Sequence, residues 1–207
     1  MNPPHDARRS LTKGQRTRQR LLQAGIDRFG ADGYRSTSVS QLSRDAGLTP
    51  AAAYAYFADK EAFWVAAVEA DLDDLDAEIR DEALRSEHPV YTLMVGLFAG
   101  LDRHPLTRRV LAEGSDGDLR LVLAHPLFAG TTTALEEGLA ARRAAGLLGL
   151  DADPEVLARG IETILFSLLL SSVRAGLSDA AIRVSSVATL LRTALGGPPT
   201  PAEMEGR

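Results

Sequence analysis

Cysteine is absent from the 207 residues, so neither a disulfide nor a thiolate-bound metal is available to this chain. Lysine is nearly absent as well: it stands only at positions 13 and 60, and every other basic side chain is arginine. The four histidines (5, 88, 104 and 125) lie scattered, without the paired spacing of a metal site. No nucleophile motif stands beside a base. The glycine-bearing stretch EGSDGD at 113–118 follows no strand and precedes no Gly-Lys-Ser/Thr, so it is read as a loop and not a phosphate cradle. Enzymatic function, a cofactor and a metal are therefore not expected. The opening MNPPHDARRS has no apolar signal segment. The longest apolar run, 164–173, is read as too short for a membrane span and is broken by Ser167. A soluble cytoplasmic protein is the expectation.

What is present is uneven. Hydrophobic residues make up 45% of the chain, enough for a packed core. The formal charge is −5 overall, yet residues 1–60 hold ten basic and five acidic residues, a net +5 that leaves −10 for the remainder. A positive head on a negative body orients such a molecule toward a polyanion.

The head also contains the most informative stretch, 37–63, TSVSQLSRDAGLTPAAAYAYFADKEAF. Ser38 and Gln41 form a capping box that starts a short helix. Val39, Leu42 and Ala46 share its inner face, leaving Ser40, Gln41, Arg44 and Asp45 outward. Gly47 ends it where a left-handed backbone is needed. Thr49 caps the next helix, with Pro50 at its first position. Ala53 and Phe57 fall inward, one turn apart, while Tyr54 and Tyr56 cannot both do so. Thr49, Pro50, Ala51, Ala52, Tyr54 and Tyr56 are then free for a partner. Two helices across so tight a turn place the second in a DNA major groove. Asp59 reads as the cap of the following helix, with Lys60 in its first turn. The helix dipole disfavours a cation there, so an anion such as a phosphate is one reading of Lys60 and a surface carboxylate the other.

These residues resemble the DNA-binding domain of the TetR family of bacterial transcriptional regulators over about 17–63. Leu21, Leu22, Ala24, Ile26 and Phe29 of the first helix, Gly33-Tyr34, Thr37-Ser38-Val39, Ala46-Gly47-Leu48-Thr49, and Tyr54, Tyr56, Phe57 and Lys60 all fall in register with the family pattern. The resemblance implies phosphate contacts by Thr37, Tyr54, Tyr56 and Lys60, with Thr49, Pro50, Ala51 and Ala52 nearest the base edges. Two departures stand out. Gly25 replaces the usual alanine, a substitution that costs a helix up to about 1 kcal/mol. Residues 50–53, Pro-Ala-Ala-Ala, offer no side chain for a bidentate base contact. Affinity should then rest on phosphates, with Thr49 and alanine methyls meeting thymine methyls, and with Arg44 and Arg35 adding contacts.

An all-α fold of about nine helices is expected: an arm at 1–9, a helix-turn-helix domain at 10–58, a helical effector-binding and dimerisation domain at 59–196, and a flexible tail at 197–207. The first helix starts at Ser10 or Thr12 and ends near Gly30 to Gly33. Helix 59–86 buries Phe63, Val65 or Ala66, Ala70, Leu72 or Leu75, and Ile79. Its acidic run, Asp71, Asp73, Asp74, Asp76 and Glu78, is read as a solvated face. Helices follow at 90–101, from Pro105, from Asp118 to 147 with an interruption at Pro126, at 154–175, and from Ser178 or Asp179 to 195.

Helix 154–175 is apolar almost all round, so it needs cover on two sides. A second copy of the chain is the expected cover, with Ile161, Leu165, Leu168, Leu169, Ser172, Val187 and Leu191 at the homodimer interface; a fully internal helix in a monomer is the alternative. The resemblance further implies an inducer pocket in the body, with the fourth helix as the lever joining it to the head. Its candidate lining is Tyr91, Met94, Phe98, Leu101, Phe128 and Phe166, with His104, Arg103 or Thr132 as polar anchors. Aromatics at 5% point to an aliphatic effector rather than a stacked planar cation. The function expected is a ligand-responsive repressor of a double-stranded DNA operator. The rival is a helical DNA-binding or interaction protein with no small-molecule effector.

Overall fold

A computed structural model describes residues 11–85, 89–146, 148, 153–175, 182–183, 186–187 and 189–190. Among them all regular structure is helical: α1 (Lys13–Ser36), α2 (Val39–Asp45), α3 (Pro50–Tyr54), α4 (Lys60–Leu84), α5 (Pro89–Gly100), α6 (Pro105–Glu113), α7 (Asp116–Ala124), α8 (Pro126–Ala144) and α9 (Pro154–Ala175). The expected all-α class is found. The arm 1–9 and the tail 197–207 lie outside the described residues, as does most of the expected helix 179–195. The chain divides into two compact units, Met1–Asp71 and Leu72–Arg207, with the division inside α4.

In the first unit local chemistry sets every helix end. Thr12 and Gln15 form a capping box that starts α1. Gly33, at φ 80°, breaks the helix where the glycines suggest, and a last turn runs on to Ser36. The Ser38 hydroxyl accepts from the Gln41 N–H at 3.3 Å, and Gln41 Oε1 accepts from the Ser38 N–H at 2.8 Å. At the far end of α2, the Gly47 N–H donates to Arg44 O at 2.9 Å and the Leu48 N–H to Ser43 O at 2.8 Å. That pair of bonds is a Schellman stop. Gly47 sits at φ +65°, and a β-carbon there would stand 2.8 Å from an Arg20 nitrogen, so only glycine fits. The same guanidinium donates to Ala46 O at 2.5 Å and ties α1 to the turn.

The apolar faces meet as the periodicity requires. Leu21, Leu22, Ala24, Ile26 and Phe29 of α1, Val39, Leu42 and Ala46 around α2, and Ala53 and Phe57 around α3 are all buried. On α4 the buried stripe is Phe63, Trp64, Ala67, Val68, Leu72, Leu75 and Ile79. Val65, Ala66 and Ala70, expected in that stripe, are only half-buried, because the stripe is rotated toward Trp64 and Val68. Nor is the acidic run a uniformly solvated face. Asp71 is buried, Asp73 meets His125 at 3.2 Å, Asp76 pairs with Arg80 at 2.7 Å and Glu78 pairs with Arg103 at 2.8 Å.

The second unit packs α9 on α8 and α6. Leu135 and Leu139 of α8 meet Ala158 and Ile161 of α9 in a buried cluster. Arg174 Nε donates to Leu111 O at 3.0 Å, fixing the end of α9 to α6. Residues 113–118 are not all loop: Ser115 caps α7, its hydroxyl accepting from the Asp118 N–H, so the helix begins at Asp116. Within the stretch that read as a turn, Ser115 and Asp118 form a capping box, and Gly114 is the C-cap of α6. His125 separates α7 from α8 and caps the latter, its Nδ1 accepting from the Leu127 N–H at 3.2 Å. That bond leaves Nε2 to face Asp73.

Gly25 has a packing reason. A methyl there would stand 3.0 Å from Phe63 Cε2 and 3.1 Å from Ala67 Cβ. Phe63 has little room to yield, being fully buried, stacked on Phe57 at 4.2 Å between centroids and edge-on to Phe29 at 6.1 Å. Overpacking of about 1–3 kcal/mol outweighs a helix-propensity gain of about 1 kcal/mol. Gly25→Ala should therefore lower stability by roughly 1 kcal/mol, seen as an earlier urea midpoint at unchanged slope. A later midpoint would mean that Phe63 shifts freely.

Candidate nucleic-acid interface and an apolar cavity

The second short helix presents the surface expected of it. Thr49 caps α3, its hydroxyl accepting from the Ala52 N–H at 3.3 Å, and Pro50 takes the first turn. Burial of Ala53 and Phe57 turns Thr49, Pro50, Ala51 and Tyr54 outward, with Ala52 half-buried. Tyr54 is 54% exposed and Tyr56 37% exposed, so both rings, and not merely one, lie on the surface. The helix ends at Tyr54, Ala55 is its C-cap, and Tyr56 belongs to the turn. Tyr56 thereby carries its hydroxyl beside Gly14, at the start of α1. Arg44 and Arg35 are exposed, and Arg44 Nε donates to Ser40 O at 3.3 Å.

Of the two readings of Lys60, the pairing with a surface carboxylate is not found among the described residues. Asp59 caps α4 as expected, accepting from the Ala62 N–H at 2.8 Å. The Lys60 ammonium lies 4.3 Å from the centroid of the Tyr34 ring, and no carboxylate among the described residues pairs with it. A cation over a ring face gains about 0.5–1 kcal/mol at an exposed site. Tyr34 in turn stands edge-on to Trp64 at 5.5 Å, and Trp64 edge-on to Phe29 at 5.1 Å. An aromatic column from the core thus holds the ammonium beside the recognition segment. Sequence reading missed Tyr34 in this role, although Gly33-Tyr34 sits at the break in α1 that brings the ring round.

Thr37 must be corrected. Its side chain is 2% exposed, and its hydroxyl donates to Gly33 O at 2.8 Å. The hydroxyl closes the turn after α1 and is not presented to a phosphate. Arg28 is also engaged, with Nε 2.6 Å from Asp45 and NH1 3.0 Å from Asp32. These hydrogen bonds, that to Asp45 foremost, raise the Arg28 guanidinium above its ordinary value. The bridge braces α2 against α1, so the basic surplus of the head remains with the other arginines and Lys60.

The second unit contains an apolar cavity of about 60 Å³. Leu97 and Phe98 of α5, Leu123 of α7, Leu127, Phe128, Thr131, Thr132 and Leu135 of α8, and Glu162, Leu165 and Phe166 of α9 line it. Phe128 and Phe166 meet edge to face, 6.1 Å apart at 86°. Of the expected lining, Phe98, Phe128, Phe166 and Thr132 are in the wall. Leu101 and His104 are buried but away from it, His104 as the residue before α6 with Nε2 3.7 Å from Glu78. Arg103 is bound to Glu78, and that hydrogen bond holds the Glu78 carboxyl below its usual value. The side chains of Tyr91 and Met94 lie outside the described residues. Leu127, Thr131 and Glu162 were missed, though two of them stand at helical spacing from a residue that was named: Thr131 three residues after Phe128, and Glu162 four before Phe166.

Several expected dimer residues are corrected too. Ile161 and Leu169 are 5% and 0% exposed within their own unit, and Leu165 belongs to the cavity wall. They face α8 and α6, which cover the inner side of α9. Leu168, Ser172 and Val187 are half-buried, and Leu191 lies outside the described residues. Val156 and Ile164 are exposed. By length and a mean hydropathy of 1.6, Pro154–Arg174 could cross a membrane, contrary to the reading of the shorter run, and only 17% of that stretch is buried. Among the described residues no group of three or more acidic or histidine side chains is placed to hold a metal.

The chain's similarities agree with this geometry. The family model described as bacterial regulatory proteins, tetR family, matches residues 21–67. The Bacillus subtilis (strain 168) protein YdgC, described as an uncharacterized HTH-type transcriptional regulator, is 26% identical over 196 residues, 87% of this chain and 93% of that protein. Two solved structures share the fold. The fatty acid degradation regulator FadR from Bacillus halodurans superposes with a TM-score of 0.68 at 19% identity, covering 87% of this chain and 96% of that one. FadR from Bacillus subtilis in complex with stearoyl-CoA gives 0.66 at 15% identity, covering 86% and 98%.

Lys60→Ala should weaken binding to duplex DNA roughly tenfold and reduce the salt slope by about one, measured by fluorescence anisotropy across a salt series. Tyr34→Leu should reproduce part of that loss with Lys60 intact. Unchanged affinity in both would remove Lys60 from the interface.

Proposed function

We propose that this chain, a transcriptional regulator of the TetR family, acts as a homodimeric repressor that binds an inverted-repeat operator and is released by a small apolar effector. The observation that carries the DNA-binding half is the open surface made by Thr49, Pro50, Ala51, Ala52, Tyr54 and Tyr56, flanked by Lys60. A narrow alanine-faced helix fits a major groove, and its flanking hydroxyls and cations reach the phosphates on either side. With no amide or guanidinium on residues 50–53, sequence is read by methyl contacts and by Thr49.

Dimerisation is supported by what α9 leaves uncovered. Its inner side is buried on α8 and α6, whereas Val156 and Ile164 remain exposed. A self-complementary patch of this kind closes as a two-fold dimer. Two recognition helices then meet successive major grooves, about 34–36 Å apart. The apolar cavity supports the effector half. A ligand there changes DNA affinity only by binding one state of the protein more tightly than the other. Repression follows from excluding polymerase at the operator, and such a protein works in the cytoplasm, where the DNA is.

If each subunit neutralises about four phosphates, log affinity should fall against log salt with a slope near −7 for the dimer. Sedimentation of the purified chain should give twice the monomer mass. A stable monomer, or a slope near zero, would contradict phosphate-dominated binding by a dimer.

A further inference from the structure

His125 is 8% exposed and stands at the corner between α7 and α8. Both of its ring nitrogens are engaged. Nδ1 accepts from the Leu127 N–H at 3.2 Å, and Nε2 lies 3.2 Å from Asp73 Oδ1 of α4. A neutral imidazole has one N–H and one acceptor nitrogen, so the proton sits on Nε2 and is donated to Asp73. A second proton has only Nδ1 to go to, where it would meet the Leu127 N–H, donor against donor. The ring would also become a cation at the start of a helix, where the dipole opposes it. Asp73 favours the cation, but its side chain is 75% exposed, so that attraction is screened.

The other charged groups around the corner leave this balance alone. On α4, Asp76 is bound to Arg80 at 2.7 Å, and Arg80 NH2 donates to Pro126 O at 3.2 Å. On α7, Asp118 is held by Ser115 at the far end of the helix, and Arg120 is exposed. Residues 121–135 contain no ionisable side chain but His125, and residues 89–101 of α5 and the turn after it carry no charge. On α6, Arg109 is bound to Glu113 and Arg108 to Asp102. The cap therefore holds with one proton on the ring and fails with two.

We infer that His125 is a proton-sensitive latch: singly protonated, it fastens the first turn of α8 to α4, and a second proton releases both and lowers affinity for DNA. Leu127 and Phe128 of that first turn are cavity wall, so the latch also sets the wall. From Asp73, α4 runs back as one helix to Trp64 and Phe63. A dimer must hold its two heads at one spacing to meet two grooves, and its affinity falls with the fraction of molecules that do so. Loosening a support of α4 lowers that fraction. The effect on DNA rests on the DNA-binding reading proposed above; the latch itself does not.

NMR of the purified full-length protein, isotope-labelled at histidine and leucine, tests the latch. At about pH 7.5 the His125 ring should carry its proton on Nε2, within the range where imidazoles change charge. On acidification to about pH 5.5, protection of the Leu127 amide against exchange, relative to its free-peptide rate, should fall about tenfold or more. His125→Asn keeps a capping acceptor that does not titrate, so its protection should change by less than about twofold. Affinity for a duplex recovered from a random pool should fall about threefold or more over the same range, relative to the variant. A proton on Nδ1 at the higher pH, Leu127 protection indifferent to acid, or the same response in the variant would overturn the latch. An opening latch with equal pH response of duplex affinity in both proteins would overturn its effect on DNA. Failure to bind any duplex would refute the DNA-binding reading instead, and the ring and amide signals would still decide the latch.

Discussion

The placement of Phe63 on the bare glycine face of α1 is the contact on which the head depends. Gly25 lets the ring within 3.0 Å of where a β-carbon would stand, and Phe57 and Phe29 then enclose it. Phe57 is the last buried residue after α3, so its stack on Phe63 fixes the recognition segment to the start of α4. From Phe29 the column of rings continues through Trp64 to Tyr34 and ends under the Lys60 ammonium. One packing constraint in the core therefore sets where the surface presents its cation and its tyrosines.

The division of labour at that surface follows from side-chain chemistry. Alanines are small enough to bring a helix deep into a groove and carry no donors to discriminate bases. Hydroxyls and cations on the flanks are sequence-tolerant and reach phosphates. The Arg28 bridge to Asp45 and Asp32 and the Arg20 bond to Ala46 O withdraw two arginines from that task and use them to hold α1, α2 and the turn together. A protein of net −5 can bind a polyanion because its charge is segregated, and because, among the described residues, Lys13, Arg16, Arg18, Arg35, Arg44 and Lys60 form no ion pair with a carboxylate.

Local signals were legible and orientations were not. Capping boxes, the glycine stop after α2 and the proline starts of α3, α6, α8 and α9 are written in residue type, and the helices begin or end there. The loop reading of 113–118 failed because Ser-Asp-Gly-Asp serves equally as a turn and as a capping box; the choice is made by Val122 and Leu119 finding a core to pack on. Thr37 looked available because its neighbours were, but a hydroxyl four residues past the Gly33 kink closes the turn more readily than it faces solvent. On α9, a stretch apolar almost all round gives no phase, so sequence could not say that Ile161, Leu165 and Leu169 face their own unit while Val156 and Ile164 do not. Glu162 was overlooked for the opposite reason: a single charge beside an apolar run reads as its solvated edge until the wall around it is seen.

The whole account turns on residues 49–56 entering a DNA groove as a sequence-reading surface. Selection of bound duplexes from a random pool, with the purified full-length protein at moderate salt, tests this most directly. The account predicts an inverted repeat whose half-site centres lie about one helical turn, roughly 10 base pairs, apart, with thymines where Thr49 and the alanine methyls touch. A bound pool no different in sequence from the starting pool would contradict it.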